Sequence, residues 1–216
     1  MEEQPAGAPA PVVATILVVL FVLTSPLVIA HHRVEKRERA MSDSRTLGRA
    51  ILAFHLDTNG WPVNDDADAA TGEVSLLVGL PGESEALDRP DWGARDWARA
   101  SIEDHLIRNA RAGLAPIHPP SDAAPDRPGW NGPYLDSVPL DPWGGPFVCN
   151  TRHLEGARLP GVGRLETERH AVFCLSAGPN RTFDTPLADD TPLVEPGGDD
   201  VGWPIQRASI QRASTP

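Results

Sequence analysis

The chain has 216 residues, enough for one domain with an anchor and too few for two sizeable cores. Pro (23) and Gly (19) together make up about a fifth of it, against a usual share of about 12%, and Gly follows no three-residue period, so the soluble part is turn-rich and not collagen-like. A net charge of −11 argues against nucleic acid, or an anionic lipid surface, bound through charge.

Residues 1–11 form a short acidic segment, with Glu2 and Glu3 and no Lys or Arg. Val12 to Ala30 (VVATILVVLFVLTSPLVIA) then runs nineteen residues without a charge. At about 1.5 Å per residue this just crosses the hydrocarbon core of a bilayer. Thr24 and Ser25 interrupt it, and Pro26 is expected to kink it. A secretory signal has a basic start and a shorter apolar stretch, so a retained transmembrane helix over 12–30 is the expectation. His31, His32, Arg33, Lys36, Arg37 and Arg39 follow at once. Counted by the positive-inside rule, they put the rest of the chain in the cytoplasm.

Residues 31–62 continue the helix. Leu47, Ile51 and Phe54 fall at i, i+4 and i+7 with Ala50 beside them, one apolar stripe. Asn59-Gly60 and then Pro62 predict the stop: a residue that tolerates the left-handed region, then one that cannot continue a helix.

Residues 63–129 read as a variable helical and loop insertion. Asn64 to Ala70 is a polar loop, Glu73 to Leu80 a short helix, and Asp91 to Ala112 a second helix with Trp97, Ile102, Leu106 and Ile107 as its stripe. Pro116 to Pro128 reads as extended and turn-rich. Strand signals begin at Tyr134 and recur at Phe147–Asn150, His170–Ser176 and Val201–Ile205, so residues 130–205 are expected to form an antiparallel sheet. The tail, 206–216, holds the tetrad QRAS twice. Helices first and strands after predict an α+β fold.

Cys149 and Cys174 each sit in a strand-like segment. Neighbouring antiparallel strands would bring them within disulfide range, and two reduced core cysteines are equally consistent. Their spacing, with no His or Cys quartet nearby, does not suit zinc. The seven His make no H-x₃-H or HExxH pattern. GxSxG, S-x-x-K and the P-loop are missing, so no enzyme activity is expected.

Several motifs fall in a recognisable order. The apolar helix runs into an amphipathic one ending in Leu56-Asp57-Thr58-Asn59-Gly60-Trp61-Pro62. Then come Trp130-Asn131-Gly132-Pro133-Tyr134-Leu135, Asp141-Pro142-Trp143-Gly144-Gly145-Pro146-Phe147, Leu175-Ser176-Ala177-Gly178-Pro179-Asn180, and Gly197-Gly198-Asp199-Asp200-Val201. Over about 12–62 and 130–205 this resembles the major, G-type pseudopilin of type II secretion, a relative of type IV pilins. The resemblance implies a pilin-like fold, in which a long N-terminal helix, membrane span plus amphipathic half, packs on a small antiparallel β-sheet. It implies a structural or assembly role in a secretion or pilus apparatus. The partners would be the membrane and self or other pseudopilin-like subunits, with no nucleic acid and no small-molecule substrate. It also implies single-pass location in the inner membrane with the C-terminal domain in the periplasm, against the charge count. The start of the chain departs from the family. Members carry a basic leader cut after a Gly, with Glu at the fifth mature position. Here the Gly is Gly7, the fifth residue after it is Val12, and the leader is acidic. A membrane-tethered pilin-like binding module that does not polymerise is the alternative.

The acidic stretch from Gly178 to Trp203 is the candidate site. It holds Asn180, Asp184, Asp189, Asp190, Glu195, Asp199 and Asp200. Calcium takes six to eight oxygens from carboxylates, amides and carbonyls on loops of this kind, although EF-hand spacing is missing. A solvated acidic loop with Asp bonded to local amides is the simpler reading. The resemblance implies a structural calcium here, on Asn180, Asp199 and Asp200, with Asp184 as a further ligand and Leu175 or Ser176 offering a carbonyl.

Overall fold

The computed structural model describes residues 10–62, 74–79, 97–110, 116–121, 128–150, 154, 171–185 and 194–206. One helix, α1, covers Ala10–Thr58 and contains Pro26. Contacts divide the chain into a unit ending at Glu38 and a unit beginning at Arg39. In the first, Phe21, Val22, Leu27, Val28 and Ile29 are exposed, and the Ser25 hydroxyl donates back to the Phe21 carbonyl at 2.5 Å. Among the described residues no helix is long and apolar enough to cross a membrane. The side chains of 10–13, 16–20, 23 and 24 are outside the described residues.

The second unit begins on the predicted stripe. Leu47, Ala50, Ile51 and Phe54 are all buried. They join Ile102, Leu106, Phe147, Cys149, Leu154, Val172 and Cys174 in one core, flanked by Trp61, Trp130 and Tyr134. The helix stops as predicted: Asn59 takes φ +52° and its N–H donates to the His55 carbonyl. The His55 ring then lies flat on Trp61, centroids 3.7 Å apart.

The strands are β1 (Val74–Val78), β2 (Trp97–Ser101), β3 (Val148–Asn150), β4 (Val172–Ser176) and β5 (Val201–Gln206). They form one sheet in the order β2-β1-β3-β4-β5. The neighbours from β1 through β5 pair antiparallel, and β2 is parallel to β1. The fold is therefore α+β, with α1 packed on a small and mostly antiparallel sheet.

Three expectations are corrected. Residues 74–78 form a strand, not a short helix: ladders to β2 on one side and β3 on the other outweigh local propensity. Of the helix expected over 91–112, the described part, 97–110, is a strand at Trp97–Ser101 and then a π-helical stretch, Asp104–Arg108, closed by Asn109 at φ +50°; residues 91–96 and 111–112 lie outside the described residues. The alternation in Trp97-Ala98-Arg99-Ala100-Ser101 has the period of a strand. The expected strand at Tyr134 is irregular: its N–H is taken by the Leu106 carbonyl and its hydroxyl by the Asn131 N–H. The insertion 63–129 thus contributes two strands to the sheet. The expected Asn64–Ala70 loop and the tail after Gln206 lie outside the described residues.

Candidate functional site

The acidic cluster stands where the chain leaves β4 and returns as β5. Gly178 ends the β4 side at φ +64°, packed so closely on Asp199 that a Cβ would strike its carbonyl oxygen. Gly198, at φ +50°, presses on the Asp184 carboxylate in the same way. Glycine is required at both positions by conformation and by space.

These turns gather the four expected residues. The Asn180 side-chain amide donates to Asp184 Oδ2 at 3.0 Å, and its backbone N–H donates to Asp199 Oδ2 at 3.2 Å. Asp200 is 3% exposed, and its Oδ2 accepts from the Thr185 N–H at 2.8 Å and the Thr185 hydroxyl at 2.5 Å. Thr185 in turn accepts the Gly197 N–H. Carboxylate oxygens of Asp184, Asp199 and Asp200 lie within 4.8 Å of one another. The Oδ1 atoms of Asp199 and Asp200 are buried and, among the described residues, have no hydrogen-bond partner.

Burial pushes the Asp200 carboxyl above its usual pKa, and the charge of Asp184 adds to this; hydrogen bonds from Thr185 and from the Asp184 backbone oppose it. A triad of mutually repelling carboxylates with two unpartnered buried oxygens suits a cation, which supplies both the missing charge and the missing partner. The three Asp could hold a metal ion.

Other candidates fall elsewhere. Glu195 is exposed and outside the triad, and Asp189 and Asp190 lie outside the described residues. Ser176 gives its hydroxyl to Asp141 Oδ2 at 2.5 Å and accepts the Gly178 N–H. Asp141 Oδ1 caps the N–H groups of Trp143 and Gly145, so the Asp141-Pro142-Trp143-Gly144 motif is a turn tied to β4. These bonds hold the shape of the turn.

Spacing gave no sign of one pair. His105 Nδ1 and His118 Nε2 are 2.9 Å apart, and His105 is buried. Asn109 makes this approach by taking the His118 N–H on its Oδ1 and giving its amide to the His118 carbonyl. Phe54 meets the His118 ring edge-on at 4.7 Å. One imidazole donates and the other accepts, so the pair clamps 116–121 against 102–108 and α1.

Comparison with protein-family models, with curated proteins and with solved structures finds no match to this chain.

Proposed function

We propose that the chain is a pseudopilin-like structural subunit or accessory of a type II secretion or pilus apparatus, held in the inner membrane by residues 12–30 with its sheet domain in the periplasm. The observation that carries this reading is the order of parts. A long N-terminal helix buries Leu47, Ile51 and Phe54 on a small sheet, and an acidic turn lies between the last two strands. In this reading the work is assembly, not catalysis. The uncharged segment Val12–Ala30 packs in the membrane and against other pilin-like helices. Calcium is the cation for the Asp184, Asp199 and Asp200 cluster: it accepts several carboxylate oxygens on a loop, and Asn180 stands beside them. Calcium there would join the two ends of the β4–β5 connection and hold the sheet edge.

One observation favours a second reading. Gly7 is followed at the fifth position by Val12 where pilin-type processing and docking use Glu. On that reading the chain is a tethered binding module of pilin-like shape that does not polymerise.

In-cell crosslinking of a tagged copy in the native host separates the two. A ladder of self-adducts, or adducts to other pilin-like subunits, is expected for the assembly role. A lone full-length band, or an adduct to an unrelated protein, would overturn it in favour of the tethered module.

A further inference from the structure

The chain has two cysteines, and the sheet sets them face to face. Cys149 in β3 is the direct partner of Cys174 in β4. Directly opposed residues of an antiparallel pair point to the same side of the sheet, with Cα atoms about 4.5–5.5 Å apart. That lies inside the range of about 4.4–6.8 Å that a disulfide spans. Both side chains belong to the core under α1, and both are fully buried as free thiols. With two cysteines in all, no other pairing within the chain competes.

We propose that Cys149 and Cys174 are a cross-strand disulfide pair, oxidised before the sheet closes and then sealed in the core. The order matters chemically. Exchange needs a thiolate. In the folded sheet burial pushes Cys174 up to about 12 and Cys149 well above its usual value, the latter raised further by Cys174. Folded thiols are therefore inert, and a folded disulfide is equally out of reach of reductant. The redox state is set while the strands are still apart.

The oxidant is a disulfide, carried by a thiol–disulfide oxidoreductase or a small molecule. The thiolate of one cysteine attacks it, forms a mixed disulfide and releases one thiol. The second cysteine, as thiolate, attacks the protein sulfur of that mixed disulfide and expels the second thiol. Two S–H bonds are lost and one S–S bond forms; two electrons and two protons reduce the oxidant to two thiols. The product closes the chain between β3 and β4 and ties the middle of the sheet. This inference stands on the strand register and does not depend on the assembly role.

The test uses the full chain, unfolded with reductant and refolded into detergent micelles with reduced and oxidised glutathione. The product is then denatured and treated with maleimide. The expected product is about 2 Da lighter than the reduced chain, for two hydrogens lost, and takes no maleimide. Digestion should give one peptide pair joined through Cys149 and Cys174. Reductant added to the folded protein should leave the bond intact, whereas reductant added during unfolding should remove it. The oxidised form should melt about 8 °C above the reduced form. Two maleimide labels after refolding in the oxidising buffer, or glutathione adducts in place of the internal bond, would overturn the proposal. The wild-type mass and labelling decide it even if Cys149→Ser or Cys174→Ser does not fold.

Discussion

The hydroxyl of Ser44, on α1, donates to the carbonyl of Cys174, in the middle of β4, at 2.5 Å and 130 positions away in sequence. The same oxygen accepts the Trp203 N–H from β5 at 2.7 Å. One buried side chain thus joins the helix to two neighbouring strands. Ser44→Ala should leave the Trp203 N–H and the Cys174 carbonyl without this partner, at a cost of about 1–3 kcal/mol. Thermal melting should show a fall of several degrees. Thr46→Ala, whose exposed hydroxyl only bonds back to Ser42 within the helix, should melt like the parent.

Gly48 lies one turn further along the same face. A Cβ there would come within 2.7 Å of Trp203 Cε3 and 3.3 Å of Ile205 Cγ1. In an open helix Gly→Ala gains about 1 kcal/mol. Here overpacking at about 1–3 kcal/mol outweighs that gain. Gly48→Ala should lower the denaturant midpoint, and Gly48→Leu should lower it further.

Calcium should raise the melting temperature of the full chain in detergent by about 4 °C at millimolar concentration, through mass action on the folded state alone. Chelator should reverse the rise. The double change Asp184→Asn with Asp199→Asn should abolish the response. An identical melt with calcium and with chelator would sink the assignment of this cation.

Asp200 gives the pH test a sign. Its folded pKa is raised by burial, so the folded state holds a proton more tightly than the unfolded chain. Its contribution is complete below the unfolded carboxylate value and is lost as pH rises through the folded one. Without metal, stability should therefore drop from this group as pH climbs out of the carboxylate range towards neutral. Calcium should remove the drop by competing with the proton. Asp200→Asn should flatten this component in chelator and lose the calcium response. A parent-like pH profile in that variant would count against the account.

The parts legible in the sequence were those set by short-range spacing. The Leu47, Ile51 and Phe54 stripe, the Asn59 stop and strands β3 to β5 each follow from a local pattern. Residues 74–78 are not legible as a strand from their own stretch, because the pairing that decides the matter comes from residues 97–101 and 148–150. Asn180, Asp184, Asp199 and Asp200 were legible as one acidic stretch and through the resemblance. Their convergence depends on Gly178 and Gly198, whose positive φ a composition does not reveal. The His105–His118 contact, thirteen positions apart, has no periodic signature because a left-handed Asn109 creates it.

The bond from Trp203 to Ser44 spans 159 positions, from β5 back to α1. Closing so long a loop comes late and slowly in folding. During synthesis the apolar stripe of α1 emerges long before the strand that finishes its cover. Until residue 203 is made, Ser44 lacks the Trp203 N–H it accepts and Gly48 lacks the indole that packs on it. Truncation before β5 would leave that nascent helix without its last strand for good, and such fragments should be prime substrates for quality-control proteases.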